Sequence, residues 1–471
     1  MLSLTALALS VPHAISHGPL LQEIASLYDI DAFKDDVTSI AIDDAHRKVY
    51  SANTVSGTID IVALNEADDD GHAASLDIER TIDVQEESST YFKLDYMTSI
   101  AYSPRGYMVA SLIPLNYAQA TGWLAFIDTE TEYISHFIEL EECYSPKHVV
   151  ATPDGNRLVV ACEGLADDDI ADPEGTVTVV DTSSDDASEW RIFSVGFTDF
   201  DDCDGYPLKH LPDGIYRPRP DSSFSVNAEP EFVALDDLGH YAYISLQENN
   251  GVAILDLLRL EMQSVFSFGA HDFGFTGLDA SDSDGGINIE LYANLFGLRQ
   301  PDGVAFHRSS GGTQYLLTAN EGNAKYYDSV RVGDADLDSV AFGYSAELQD
   351  DAHLGRLQVL NGAGSDYGQN EYGEFDKLYT FGSRDWTAWQ IEAGSDASCP
   401  CEYPSALKLV FSSLDDFEQI TAAQLGFDGF NSDLYSPSGD VRRFVCLWRG
   451  TRFVSTTTTT TRWCVCSSAP F

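Results

Sequence analysis

The stretch that decides the fold runs from Glu231 to Asp256 and reads EFVALDDLGHYAYISLQENNGVAILD. It contains three apolar runs, FVAL, YAYISL and GVAIL, rich in β-branched and aromatic residues and broken at Asp, Gly or Asn. Runs this short between turn-forming residues describe strands of an antiparallel meander, not helices. The same pattern appears on both sides. Upstream it reads TSIAIDDAHRKVYSANTVSGTIDIVAL from Thr38, TSIAYSPRGYMVASL with GWLAFID from Thr98, and HVVATPDGNRLVVACEG with GTVTVVD from His148. Downstream it reads DGVAFHRSSGGTQYLLTANEG from Asp302, with LGRLQVL from Leu354 as its later strand, and a weaker sixth copy is expected from Lys377 to Phe411.

One such unit cannot bury both faces of its sheet, so recurrence predicts radial stacking: an all-β fold, a β-propeller. The first five copies start 60, 50, 83 and 71 residues apart, which leaves room for long loops between regular blades. Topology then sorts those loops. A blade's first strand lines the channel, the second returns and the third goes out again, so the loop before strand one and the loop after strand two open on the same face. In this chain those loops carry Glu163, Glu174, Glu229, Glu231, Glu248, Asp302 and Glu321. The opposite face receives DDAH, SPRG, TPDG and DDLG, which read as structural turns.

Composition narrows the partners. Against 76 Asp and Glu stand 26 Lys and Arg, a formal net charge of -50. Such a field repels phosphate backbones and anionic lipid surfaces, which excludes nucleic acid as a natural partner. Screening by salt and binding of divalent cations would both relieve the self-repulsion. Calcium is the expected ion, because hard cations take carboxylate and carbonyl oxygens. The loop GLDASDSDGGINI adds Asp279, Asp282 and Asp284 to Glu163, Glu229, Glu231, Glu248 and Glu321 as candidate metal ligands, although its spacing is not that of an EF-hand. A solvated Asx-rich loop is the alternative reading of the same residues. Lys325 and Arg331 are the candidate contacts for an anionic ligand. G-x-S-x-G, H-E-x-x-H and Walker patterns are all missing from the sequence.

Residues 1–17, MLSLTALALSVPHAISH, read as a secretory leader, and no later segment has the apolar length of a transmembrane helix. The expected location is therefore outside the cell, free or at the cell surface. The eight cysteines suit export but define no disulfide framework by spacing. The propeller is expected over residues 18–433. After Asp440 acidic residues stop, arginines accumulate and six threonines precede TrpCysValCys, so residues 434–471 read as a foreign or low-complexity basic tail.

The ordered motifs EPEFVALDD, YISLQENN, GLDASDSDGGINI, TANEGNAKYYD, HLGRLQVLN, YTFGSRDWTAWQ and DDFEQITA resemble the choice-of-anchor I family of extracellular proteins. The resemblance implies a seven-bladed propeller and kinship with mesenchyme-specific cell-surface glycoproteins and atypical alkaline phosphatases. It thus offers two functions: a calcium-binding surface protein engaging cell-surface or matrix components, or a metal-dependent phosphomonoesterase. Relative to the family pattern the last blade is missing or replaced by the basic tail, Asn323 stands for an Asp, and Cys162 stands for an Asn.

Overall fold

The computed structural model describes residues 37–419 apart from 66–74, 168–170, 202–206, 220, 282, 325–328, 344, 362–366, 397–398 and 417. Outside that range it describes little beyond four short strands, Ser3–Ala8, Gln22–Leu27, Val454–Ser455 and Arg462–Val465, which form a sheet of their own. The rest of the expected leader and basic tail lies outside the described residues.

Among the described residues five four-stranded antiparallel sheets follow one another along the chain as blades of a β-propeller. Blade one spans Val37–Asp83, blade two Leu94–Glu139, blade three Pro146–Val195 and blade four Pro230–Ser267. Blade five is discontinuous, built from Gly303–Arg308, Gln314–Asn320, Asp385–Asp396 and Cys399–Ser412. The first strands of successive blades touch in chain order, which places them around the channel.

The core is the set of interfaces between blades, and the sequence shows why. In the second strand of blade three, RLVVAC, Leu158 and Val160 pack with Val109, Leu124 and Phe126 of blade two. The intervening Val159 and Ala161 pack with Ile244 and Leu246 of blade four. Successive side chains of a strand point to opposite faces, so a sheet sandwiched between two others needs an unbroken apolar run.

A further five-stranded sheet sits outside the blade series, in the order Ala270–Asp272, Leu295–Leu298, Leu378–Phe381, Gln358–Leu360, Ser329–Arg331. Its strands come from the connection between blades four and five and from residues 321–384, inserted between strands two and three of blade five. Both insertions leave from the face that carries the acidic loops.

This arrangement corrects two expectations. The segment Leu354–Leu360 is not a later strand of blade five, and Lys377–Phe411 is not a sixth repeat. Leu378–Phe381 pairs in parallel with Leu295–Leu298 in the accessory sheet, whereas Asp385–Asp396 pairs with Gln314–Asn320. Blade five resumes across its insertion because Asn320 meets Asp385 edge to edge, its Nδ2 donating to Asp385 Oδ1 at 2.6 Å.

Candidate metal centre

The turns on the opposite face are self-contained. Asp43 Oδ1 accepts from the backbone N–H groups of Ala45 (3.0 Å) and His46 (3.2 Å), and Asp236 Oδ1 from those of His240 (2.6 Å) and Tyr241 (3.0 Å). Their carboxylates are consumed in fixing the turn.

The acidic face is built differently. One carboxylate oxygen from each of Glu163, Glu229 and Glu248 lies within 4.8 Å of the others. The three glutamates come from the loop after strand two of blade three, the residue before strand one of blade four, and the loop after strand two of blade four. Loop alternation is what lets positions so far apart in sequence meet at one mouth of the channel. Glu163 and Glu248 are 2% and 1% exposed.

Each loop is held by its own device. The bridge Cys143–Cys162 ends immediately before Glu163. Next to it, the N–H groups of Glu163 and Gly164 donate to the carbonyls of Ser145 (3.1 Å) and Tyr144 (3.0 Å). The Glu248 loop is held by amides. Asn249 Nδ2 donates to the carbonyls of Tyr216 (3.0 Å) and Asn227 (2.9 Å), and Asn250 Nδ2 to that of Gly269 (3.0 Å). Asn249 Oδ1 accepts from the N–H of Glu229 at 3.3 Å, which ties Glu229 to the same loop. Asn323 Nδ2 donates to Glu248 Oε1 at 2.7 Å and so orients that carboxylate.

Lys147, on the first strand of blade three, completes the cluster. Its Nζ lies 3.1 Å from Glu163 Oε2 and 3.7 Å from Glu231 Oε1. Burial opposes its charge, but Glu163, Glu231 and Glu248 outweigh burial and hold its pKa above the usual lysine range. Burial first, then the neighbouring Glu248, pushes the Glu231 carboxyl well up, with Lys147 acting in the opposite direction. Asp302 adds to the same repulsion.

The other candidates are placed elsewhere. Glu321 lies in the ANEG loop beside this mouth but is not in the three-glutamate group. That loop interlocks with the accessory sheet: Gly322 (φ +85°) and Gly382 (φ +77°) approach so closely that a Cβ on Gly382 would sit 1.9 Å from the Glu321 carbonyl oxygen. Asp279 belongs to a separate buried knot. Its N–H donates to Glu418 Oε1 at 2.6 Å, and Arg384 Nη1 donates to the Asp279 carbonyl and to Glu418 Oε1, each at 2.9 Å. Burial raises the Asp279 carboxyl to about 6, against the pull of Arg384. Asp284 closes a turn, accepting from Gly286 N at 3.3 Å and Asn288 Nδ2 at 2.7 Å. Arg331 is exposed on the edge strand of the accessory sheet, and Asp282 and Lys325 lie outside the described residues.

Sequence reasoning missed Lys147, yet a signal for it was present. Aligning SPKHVV, EPEFVA and QPDGVA puts Lys147, Glu231 and Asp302 at one repeat position, the start of the channel strand. The pairing of Cys143 with Cys162 had no such signal.

Converging oxygen donors at the mouth of an all-β propeller define the class of this molecule. The chain belongs to the choice-of-anchor I family, whose domain matches residues 38–440. No curated protein matches it. Among solved structures it is similar to a functionally unknown protein from Desulfotomaculum acetoxidans, at 9% identity and a TM-score of 0.41 over 95% of this chain and 93% of that one. A β-propeller domain from Myceliophteria thermophila gives 9% identity and a TM-score of 0.40 over 90% and 80%. The periplasmic gluconolactonase of Pseudomonas aeruginosa gives 15% identity and a TM-score of 0.38 over 66% and 68%. Among the described residues no helix is long and apolar enough to cross a membrane.

Proposed function

We propose that the protein is a secreted or cell-surface propeller that binds a divalent cation, calcium, at the acidic mouth of its channel. The observation that carries this reading is the meeting of Glu163, Glu229 and Glu248 within 4.8 Å. Three carboxylates from two blades repel one another strongly at that separation, and a single Lys147 offsets only part of the repulsion. A hard divalent cation would remove it, and the donors suit such an ion: all are oxygen, with no thiolate or imidazole in the group. The Cys143–Cys162 bridge supports an oxidising location, since disulfides persist outside the cytosol. Cell-surface or matrix components are the partners that such a location offers.

Calcium titration by calorimetry, paired with thermal melts with and without chelator, tests the reading. A ligand that binds only the folded state raises the melting temperature by mass action. The expected result is heat on titration and a melting temperature that falls on chelation, with both effects lost in the double variant Glu163→Gln, Glu248→Gln. Absence of heat and of any chelator effect in the unaltered protein would refute the proposal.

A further inference from the structure

The residue at the mouth that does not fit a pure cation site is Lys147. Its repeat position carries Thr98 in blade two, Glu231 in blade four and Asp302 in blade five, so the next two blades along the chain present carboxylates where blade three presents an ammonium. Blades three and four are adjacent, and the charge reversal links them: Lys147 Nζ reaches Glu163 Oε2 of its own blade at 3.1 Å and Glu231 Oε1 of blade four at 3.7 Å. The lysine head is held in place by its own strand. His148, the next residue, stacks on Phe232 with ring centroids 3.7 Å apart, and its Nδ1 accepts from Val233 N at 3.3 Å. These contacts fix the strand that carries Lys147 against the strand that carries Glu231.

We infer that Lys147 is a built-in counter-cation that competes with the divalent ion for Glu163, and so sets the affinity of the centre. This rests on the calcium reading. With no ion bound, the ammonium lowers the repulsion among the carboxylates and stabilises the empty protein. With an ion bound, the same positive charge stands beside it and weakens its hold. Affinity at calcium centres follows the net ligand charge, and extracellular modules work with dissociation constants of about 10⁻⁴–10⁻³ M. A competing lysine moves a carboxylate-rich site toward that weak range, where binding tracks the calcium level outside cells instead of saturating.

Calcium calorimetry on the full chain and on its Lys147→Gln and Lys147→Arg variants tests this, together with melts in chelator. Lys147→Gln is expected to bind calcium at least about tenfold more tightly, equivalent to about 1.4 kcal/mol, while melting at a lower temperature in chelator. Lys147→Arg keeps the charge and is expected to bind as the unaltered protein does. An independent readout needs no variant: acylation of the Lys147 amine, followed by mass spectrometry, is expected to speed up when calcium draws Glu163 away from it. Equal or weaker calcium binding by Lys147→Gln, or an acylation rate indifferent to calcium in a protein that binds it, overturns the inference alone. No binding by either the unaltered protein or Lys147→Gln overturns the calcium reading and the inference with it.

Discussion

Removal of the Cys143–Cys162 bridge tests how the centre is held together. The bridge closes a loop between residues 19 apart in sequence, and loop-closure entropy for a span of that size is worth about 3 kcal/mol. In a propeller of this size that stabilisation corresponds to a melting shift of roughly 4 °C. The local consequence falls on the centre itself. Cys162 directly precedes Glu163, and without the bridge the end of the ACEG turn rests on two backbone hydrogen bonds, Glu163 N to Ser145 O and Gly164 N to Tyr144 O, and on the ion pair of Glu163 with Lys147. Immobilising one freed residue on binding costs roughly 1–2 kcal/mol, so calcium affinity is expected to fall about tenfold. The assay pairs denaturant unfolding with calcium calorimetry on the double variant Cys143→Ser, Cys162→Ser. A stability loss with unchanged calcium affinity would refute the idea that the bridge positions Glu163. Unchanged stability would refute the bridge itself.

Three other outcomes follow from the contacts described. Arg384→Leu strands the Glu418 carboxylate, itself 3% exposed, and is expected to cost about 3–5 kcal/mol by denaturant unfolding, with much of the loss recovered in the double variant Arg384→Leu, Glu418→Leu. Gly382→Ala puts a methyl group 1.9 Å from the Glu321 carbonyl at a φ of +77°, and is expected to destabilise by about 2–4 kcal/mol while disturbing the ANEG loop, visible as faster proteolysis between residues 321 and 384. His271, buried between the accessory sheet and blade five, has its pKa lowered by burial more than the nearby Asp385 raises it. The unfolded chain therefore takes up the proton first, and stability falls as pH drops through the ordinary histidine range near 6.5; His271→Gln is expected to flatten that part of a melting-temperature profile.

Sequence alone determined the architecture and the face on which the acids gather. Both follow from local rules: apolar runs of strand length, turn residues at their ends, and the strict alternation of loops in a meander, none of which needs to know which strands are neighbours. Tertiary structure decided what depends on pairing across distance. The runs at Leu378–Phe381 and Asp385–Asp396 read alike in sequence, yet one joined the accessory sheet and the other resumed blade five, because partners more than sixty residues away compete for them and register is fixed by those partners. Of the acids named from sequence, Glu163, Glu229 and Glu248 met, while Asp279 was drawn into the knot of Arg384 and Glu418. A carboxylate's role depends on which charges reach it within a few ångströms, and that distance is set by how blades three and four pack, not by the order of residues along the chain.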